Sequence, residues 1–462
     1  MRHGAKTFLG DLPKKQRLIY IYDIIQTEGD QKYDHENGGK DMKKRVLILV
    51  LLAALVCLAG CGKKAELTVY VVDTEPLYVA ALETFQTANP DVNLVVEKFS
   101  DYAAMNDRLN TELMSGKGPD VLLLNSYQSD LDAGKLAQSG AFLPLDDFMA
   151  ELDGGSYYTV ITDAGKVDGK QYLLPLSWNV LQAYCSADLP TKQGLDLDNL
   201  YDAFLRQAEK LAGQDDMAIS SLQVNRTDFA NYFLEVAGVS LTDGKTVTAD
   251  KAQVDEVMAF VKMFYDNAGA IGAVTKRYSN DLAGAMAHLS FLMEDYSFLN
   301  NLRYYQSVYA KQVGTVSTVS FFGRLDGGMT AQVMHYGAIN ADTDMKEAAQ
   351  KLLRCVLEQQ CSMSFGKYDA AVAYAPVTVA GYQACLNELS VQSAQEANLA
   401  ALNAENLAIA QAIPERVTTA VIPNRVLGEI VQTCMTPYFT GAADFDGCYD
   451  DMVQKLKLYL SE

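Results

Sequence analysis

Apolar positions in the first part of the chain follow two spacings, and together they predict a β-α-β-α-β order. Largely apolar runs at 67–72, 92–96 and 121–124 are typical of strands buried on both faces. Between these runs, apolar residues recur every three or four positions, which predicts two amphipathic helices. The recurring residues are Tyr78, Ala81, Leu82 and Phe85, then Met105, Leu109 and Leu113. This order indicates a parallel α/β sheet covered by helices.

Polar residues follow these strands directly. Ligands of open parallel sheets bind beyond the carboxyl ends of the strands, so a ligand site is expected there. Turns between strands and helices also use such residues as caps, which is the alternative for the two acids. The candidate binding residues are Asp73, Glu75, Asn125, Ser126 and Tyr127.

A second pattern lies upstream, at 42–61. The basic Met-Lys-Lys-Arg is followed by an apolar run at 46–58 and by small residues, which is typical of a secretory signal. The run is shorter than the ~20 residues that span a bilayer, which disfavours a transmembrane helix. Its end, Leu-Ala-Gly-Cys, resembles the lipobox of bacterial lipoproteins, in which the cysteine receives a diacylglycerol and becomes the first mature residue.

This resemblance implies that 42–60 is a lipoprotein signal peptide and that Cys61 is lipidated. The mature protein would then be anchored on the outer face of the bacterial cell membrane. A signal of this kind normally opens the chain, so we interpret 1–41 as a non-native or disordered N-terminal extension. Whether Met1 or Met42 is the true start stays open.

Charge and length narrow the function further. The 462 residues carry a formal net charge of −20, which argues against nucleic acid as a partner and against electrostatic attachment to anionic lipid. Roughly 400 residues remain after the signal, more than one core usually organises, so two domains are expected. No cysteine or histidine spacing predicts a metal site, and no cofactor is expected. Cys434 and Cys448 could form a disulfide or be buried free thiols.

A turn within the β-α-β-α-β region carries a family resemblance. Gly116-Lys-Gly-Pro-Asp120 leading into an apolar strand resembles the family 1 extracellular solute-binding proteins of ABC importers, the group that includes maltose-binding protein. Further passages follow in the family's order, and the resemblance covers 66–462. These passages are 169–175, 183–189, 281–302, 313–340, 374–377 and 438–456.

The family resemblance implies a two-lobed α/β fold of the periplasmic-binding-protein type II, with three interlobe crossings. The implied crossings lie near 175–178, 313–320 and 366–376. Lobe one is expected to comprise 62–175 and 320–366, and lobe two 178–312 and 377–462. Within lobe two, the composition of 388–413 predicts a helix.

Three more candidate ligand-binding residues lie outside these strand ends. Trp178, the only tryptophan, follows the first crossing, with packing at the hinge as its alternative. Tyr296 occupies the position of a cleft tryptophan in the family, and Met329 follows two glycines. Aromatic rings commonly stack on sugars, so a carbohydrate is the favoured solute.

The sequence therefore predicts a monomeric, membrane-anchored solute-binding protein that captures a small solute, favoured to be a sugar, for an ABC permease. It is not expected to be an enzyme, because no hydrolase or phosphate-binding motif is present. One alternative is a surface lipoprotein enzyme acting on carbohydrate, which would need two suitably spaced carboxylates. Another is a scaffold or adhesion lipoprotein. The identities of the solute and the permease stay open.

Overall fold

The computed structural model describes residues 66–72, 76–214, 216–221, 228–295, 297–363, 374–391 and 400–461. Strands in these ranges belong to two larger sheets and one short hairpin. The strands are β1 (Glu66–Val72), β2 (Asn93–Phe99), β3 (Val121–Asn125), β4 (Lys166–Val167), β5 (Lys170–Gln171), β6 (Leu174–Asn179), β7 (Gln182–Ser186), β8 (Ala218–Ser220), β9 (Leu289–Glu294), β10 (Ser317–Phe321), β11 (Met329–Ile339), β12 (Ala375–Pro376) and β13 (Val417–Val421).

Helices cover both sheets. They are α1 (Pro76–Ala88), α2 (Tyr102–Met114), α3 (Ala133–Gln138), α4 (Asp146–Ala150), α5 (Thr159–Thr162), α6 (Leu189–Gln193), α7 (Leu200–Leu211), α8 (Phe229–Ala237), α9 (Lys251–Asp266), α10 (Ala268–Arg277), α11 (Leu282–Ala287), α12 (Phe298–Val308), α13 (Lys346–Met363), α14 (Val379–Leu389), α15 (Ala404–Arg416), α16 (Arg425–Phe439) and α17 (Phe445–Ser461). A 3-10 turn spans Asp163–Gly165 and a π-helical turn spans Tyr309–Val313. No described helix is both long and apolar enough to cross a membrane.

The larger sheet has the order β12-β6-β11-β3-β1-β2, and β13 pairs with the first residues of β11. β1 lies parallel to both β2 and β3, as the sequence predicts. The two predicted helices are α1 and α2, and all seven of their predicted apolar positions are buried. β2 is half-exposed, because it forms the edge of the sheet.

The smaller sheet has the order β10-β7-β9-β8, in which β8 and β9 are parallel. A cluster of aromatic rings fills the space between this sheet and helices α7, α8 and α9. At its centre, Phe204 stacks on Phe291 of β9 with ring centroids 4.1 Å apart, and Phe233 and Phe264 also stack. Burial of such large rings is the main favourable term that holds these helices on the sheet.

The chain passes between the two sheets at short connections. Only Val180 and Leu181 separate β6 in the larger sheet from β7 in the smaller one, and 322–328 lead back from β10 to β11. After β13, α16 packs against α8 and α9 of the smaller-sheet side. Three connections of this kind are what the predicted fold requires.

The position of β13 differs from the sequence-based assignment of 377–462 to lobe two. This strand is hydrogen-bonded to β11 in the larger sheet, so the chain leaves that sheet at 422–424 and not before 377. The predicted crossing at 366–376 lies largely outside the described residues. The lobe boundaries stay a prediction. Any assignment of them has to place β13 in the same lobe as the larger sheet.

Two further expectations concern particular segments. The helix predicted over 388–413 is wrong as a single element, because α14 ends at Leu389 and α15 begins at Ala404. Cys434 and Cys448 are both buried free thiols, so the structure has no bridge between them. Both behave as small apolar residues in the packing of α16 and α17.

Candidate functional site

The carboxyl ends of strands from both sheets meet at the first crossing. Asn125, the last residue of β3, pairs with His335 of β11, and β6 lies along the other edge of β11. In the smaller sheet, β9 ends at Glu294, which pairs with Gln182 at the start of β7. Because two residues separate β6 from β7, the ends of β3 and β9 flank one junction, which we call the crossing site. Strand ends of this kind are where α/β sheets bind ligands.

Asn125 and Ser126 fix the turn after β3. The Asn125 amide nitrogen lies 3.4 Å from His335 Nε2, and its oxygen accepts a hydrogen bond from the Tyr127 backbone N–H at 3.0 Å. The Ser126 hydroxyl donates to the carbonyl of Val333. Asn125 and Ser126 are 1% and 3% exposed, so most of their surface is committed to the fold. That either binds a solute stays a prediction.

Tyr127 connects this turn to the opposite side of the junction. Its hydroxyl donates to Gln332 Oε1 at 2.5 Å, and Gln332 Nε2 reaches Glu235 of α8 at 3.4 Å. The Tyr127 ring centroid lies 6.4 Å from that of Tyr232, also on α8. Arg425 donates to the Tyr127 carbonyl oxygen at 2.8 Å. Tyr127 thus lies where a sheet end from one side faces a helix from the other, consistent with its predicted role in the cleft.

Trp178 packs inside the larger sheet's side of the crossing. Its ring is 0% exposed and stacks on Tyr382 with centroids 5.8 Å apart and planes 14° apart. Phe298 covers it at 5.2 Å, and the indole N–H donates to the Pro376 carbonyl at 3.0 Å. The indole has no exposed surface that a solute could contact here. Its surroundings correspond to the alternative given by the sequence, which is a packing role near the crossing. Contact between Trp178 and a solute stays a prediction that this burial disfavours.

The other four predicted ligand-binding residues do not lie among the described residues of the crossing site. Met329 is 1% exposed and pairs with Val417 of β13, because the sheet continues over it. Asp73, Glu75 and Tyr296 lie outside the described residues, as does the proposed lipidation residue Cys61. Their predicted roles are therefore unchanged.

Two amides at the crossing were missed by sequence reasoning. Asn179 ends β6 and Gln182 begins β7, and both are 0% exposed. Asn179 Oδ1 accepts from the Phe298 backbone N–H at 2.9 Å, and Gln182 Oε1 accepts from the Tyr184 hydroxyl at 2.5 Å. Their amide nitrogens have no hydrogen-bond partner among the residues that the structure describes. An unmet buried donor costs about 1–3 kcal/mol. Because both amides are as buried here as Trp178, they are candidates to bind a solute only in a state in which the crossing opens.

The only sequence signal for these amides is their placement on either side of a two-residue crossing. That signal becomes specific only once the crossing is located to the residue. The amides provide neutral donors, which suit the hydroxyl oxygens of an uncharged solute.

Glu294 supplies the unusual electrostatics of the site. Burial is the main cause that raises the pKa of its carboxyl from 4.5 to about 7, and the charge of Asp295 adds to the effect. The Tyr305 hydroxyl donates to Glu294 Oε1, which opposes the shift, and burial beside Glu294 in turn raises the pKa of Tyr305 far above its usual value. Near neutral pH, the carboxyl therefore titrates within the crossing site.

This shift predicts a stability that depends on pH. The folded-state pKa lies above the unfolded value, so the folded chain binds more protons between pH 4.5 and about 7. Stability contributed by the neutral carboxyl is present below pH 4.5 and is lost as pH rises through 7, by an amount of up to about 3 kcal/mol. Glu294→Gln, which keeps an acceptor for Tyr305, is expected to flatten this part of the profile. Urea unfolding at pH 5 and pH 8 measures the change in the free energy of unfolding between the two pH values. An equal change in both proteins would contradict the assignment.

The described residues contain no cluster of histidine, cysteine and acidic side chains that could hold a metal. His335 is 0% exposed and lies between Ser177, at 2.8 Å, and Asn125. Its ring also contacts Tyr78 and Tyr374 edge-on. These contacts make His335 a packing residue of the larger sheet.

The chain belongs to the bacterial extracellular solute-binding proteins, whose family matches residues 80–382, more than half of the sequence. A Brucella abortus protein that is named a binding protein is 24% identical over 155 residues. That match spans 33% of this chain and 36% of the relative, so only about a third of the relative's length is covered.

Solved structures with the same architecture extend over most of the chain. The sugar-binding protein MalE from Xanthomonas citri superposes with a TM-score of 0.64 at 15% identity, covering 86% of this chain and 98% of MalE. An ABC substrate-binding protein from Listeria monocytogenes, solved in complex with cycloalternan, has a TM-score of 0.57 at 14% identity, with 86% and 100% coverage. At these identities the likeness shows the fold, and it confirms the predicted two-lobed α/β class.

Proposed function

We propose that this protein is the carbohydrate-binding component of an ABC importer and binds its sugar at the crossing site. The observation that carries the proposal is the pair of buried, unpaired amide nitrogens of Asn179 and Gln182 at the junction of two sets of strand ends. Sugar hydroxyl oxygens are suitable acceptors for both nitrogens. Membership of the solute-binding family and the sugar-binding function of the MalE neighbour support this class of ligand.

The side chains around the crossing favour a neutral ligand. The partly exposed ring at the crossing belongs to Tyr127, and the uncharged polar groups are the amides of Asn179 and Gln182. The guanidinium of Arg425, which contacts the Tyr127 carbonyl, is paired with Asp130 at 2.6 Å. A polyhydroxylated solute can use amides and aromatic rings together, whereas an anionic solute would need unpaired cations.

The described carboxylates support binding more than hydrolysis. Glu235 is engaged by Asn231 at 2.7 Å and by Gln332, and Glu294 is engaged by Tyr305. A glycosidase needs one carboxyl as acid and another as nucleophile or base across a single sugar bond. Glu235 and Glu294 instead hold neighbouring side chains, so neither is assigned a catalytic role.

Closure of the two lobes around the solute is the proposed mechanism of capture. A ligand shifts such an equilibrium only through contacts that differ between the open and closed states. Tyr127 and Glu235 lie on the two sides of the crossing and are linked through Gln332. A solute that contacts both of them would favour the closed state. The closed form would then be presented to the permease.

A binding screen on the chain from Gly62 onward tests the ligand class. Mono- and oligosaccharides are compared with amino acids, peptides and polyamines by thermal shift and then by calorimetry. We expect at least one sugar to raise the melting temperature, since a ligand at ~100 times its Kd stabilises by about 2.7 kcal/mol. Stabilisation by a peptide or polyamine and by no sugar would contradict the proposal.

Tyr296→Ala tests the residue that the family resemblance places in the cleft. An aromatic anchor in a binding site commonly contributes ~2 kcal/mol or more, so at least a tenfold weaker affinity is expected with a nearly unchanged unfolding midpoint. Calorimetry and thermal melts on the same variant separate this role from packing. Unaltered affinity with a large fall in melting temperature would assign Tyr296 to the core.

The membrane anchor is proposed from the Leu-Ala-Gly-Cys sequence alone. Two acyl chains are enough to hold a protein stably on a bilayer, so a diacylglyceryl group on Cys61 would anchor the chain without other membrane contacts. Cys61→Ala is expected to leave the precursor uncut and without lipid. Metabolic labelling with a fatty acid checks this, with Cys57→Ala as the control, and label that persists in the Cys61 variant would refute the anchor.

A further inference from the structure

A cavity lies at the end of the smaller sheet that is far from the crossing site. It has a volume of about 560 Å³ and is bordered by the end of β7, the start of β9, helices α6, α7 and α11, and the π-helical turn. β9 runs from this cavity, at Leu289, to the crossing, at Glu294, so the two sites occupy opposite ends of one strand. We call it the distal cavity.

The wall of the distal cavity contains a buried amide with an unmet hydrogen bond. Gln207 of α7 is 3% exposed, and its Nε2 donates to the Ser290 hydroxyl oxygen at 3.0 Å. Gln207 Oε1 has no partner among the described residues. If the amide were turned over, the nitrogen would lack a partner instead, so one polar atom is unmet in either orientation.

The rest of the floor is apolar. Met286, Leu289 and Tyr309 are each less than 9% exposed and border the same space as Gln207. Tyr309 belongs to the π-helical turn, a distortion that often occurs at functional sites. An apolar floor with one directed polar group is the usual composition of a small-molecule site.

The mouth of the cavity carries positive charge. Lys192 and Lys210 border it together with one acid, Asp188. Lys192 pairs with Asp188, whereas Lys210 donates to the carbonyl of Gln193. Among the described residues, Lys210 has no carboxylate partner. A local excess of cations in a chain of net charge −20 favours an anionic ligand here.

We propose that the distal cavity binds a small organic anion with a hydroxyl group on an apolar body. The hydroxyl donates to Gln207 Oε1, the body packs on Met286 and Leu289, and the carboxylate lies beside Lys210. This ligand differs in charge and position from the sugar proposed for the crossing site. The two sites can therefore be tested separately.

The matched probes are 4-hydroxybenzoate, which has the donor and the carboxylate, and 4-methoxybenzoate, which lacks the donor. Binding to the chain from Gly62 onward is measured by saturation-transfer NMR and calorimetry. We expect 4-hydroxybenzoate to bind with a Kd of about 1 mM or below, and at least about fivefold more tightly than the methyl ether. A saturating sugar identified for the crossing site should leave this binding unchanged.

Two variants assign the contacts. Gln207→Met keeps the length of the side chain and is expected to weaken 4-hydroxybenzoate at least about fivefold without affecting 4-methoxybenzoate. Lys210→Met should weaken both probes, and Lys262→Met, which removes a lysine paired with Asp266 on α9, should weaken neither. Because Lys210 is exposed, its variant remains informative even if Gln207→Met is unstable.

Three results would overturn the proposal. Neither benzoate binds at about 5 mM, in which case water satisfies Gln207. Both benzoates bind with equal affinity, and neither the Gln207 nor the Lys210 variant changes that affinity. The crossing-site sugar displaces 4-hydroxybenzoate, which would place the benzoate at the other end of β9.

Discussion

Trp178→Ala is expected to lower the free energy of unfolding by about 3–5 kcal/mol, the range for truncating a fully buried large aromatic. The ring is 0% exposed, and its removal would leave a cavity between Tyr382, Phe298 and Tyr158. It would also leave the Pro376 carbonyl without the indole N–H. Equilibrium urea unfolding monitored by circular dichroism measures the change, because the variant has no tryptophan emission.

Trp178→Phe is the matched control. It retains a ring in the stack and loses only the indole N–H and part of the volume, so a smaller loss of stability is expected. Affinity for a sugar, measured where both proteins are folded, then separates packing from recognition. A Trp178→Ala protein with near-normal stability and much weaker sugar binding would restore the sequence-based role in the cleft.

Asn179→Ala is expected to weaken the binding of the proposed sugar at least tenfold. The variant removes a buried amide nitrogen at the crossing, and a lost hydrogen bond to a desolvated group costs about 1–3 kcal/mol. It also removes the acceptor for the Phe298 backbone N–H, so some stability will be lost as well. Calorimetry with the sugar from the binding screen gives the affinity of the folded protein.

Asn406→Ala separates these two effects. Asn406 is another buried asparagine, 8% exposed, whose amide nitrogen donates to Gln306 at 3.0 Å on α12. Loss of the Asn406 side chain should lower the stability of the protein without weakening the binding of the sugar. If the Asn406 and Asn179 variants lose affinity equally, the effect of Asn179 is structural and the amide is not a ligand contact.

Local spacing was sufficient to predict the first half of the larger sheet. β1 and β3 are mostly apolar and are buried on both faces over most of their length, and α1 and α2 present their apolar positions to that sheet at helical spacing. These elements lie close together in sequence, so the pattern also gives their order. The family resemblance supplied the second lobe, where local spacing alone did not.

Long-range pairing could not be inferred in the same way. β13 has the sequence Val-Thr-Thr-Ala-Val and pairs with Met329–Gln332, far earlier in the chain. Nothing in five such residues specifies which sheet they join. The break between α14 and α15 was missed for a related reason, because a run rich in alanine, glutamine and asparagine is compatible with one helix or two.

The candidate site shows a similar division. The turn at Asn125–Tyr127 was predicted because ligand sites follow the ends of parallel strands. Asn179 and Gln182 were missed because their importance depends on which atoms lack partners, a property of the folded structure alone. Trp178 illustrates the reverse case, since an aromatic residue near a crossing suits a sugar and a hinge equally well before its burial is known.

The burial of Trp178 at the hinge gives the protein a built-in optical reporter. Because the chain has one tryptophan, its indole emission comes from a single place, the contact between β6, β12, α12 and α14. Emission spectra depend on solvent access and on neighbouring rings, so any rearrangement of this contact during lobe motion would change the signal. Stopped-flow fluorescence of the unlabelled protein could then follow the opening and closing rates directly.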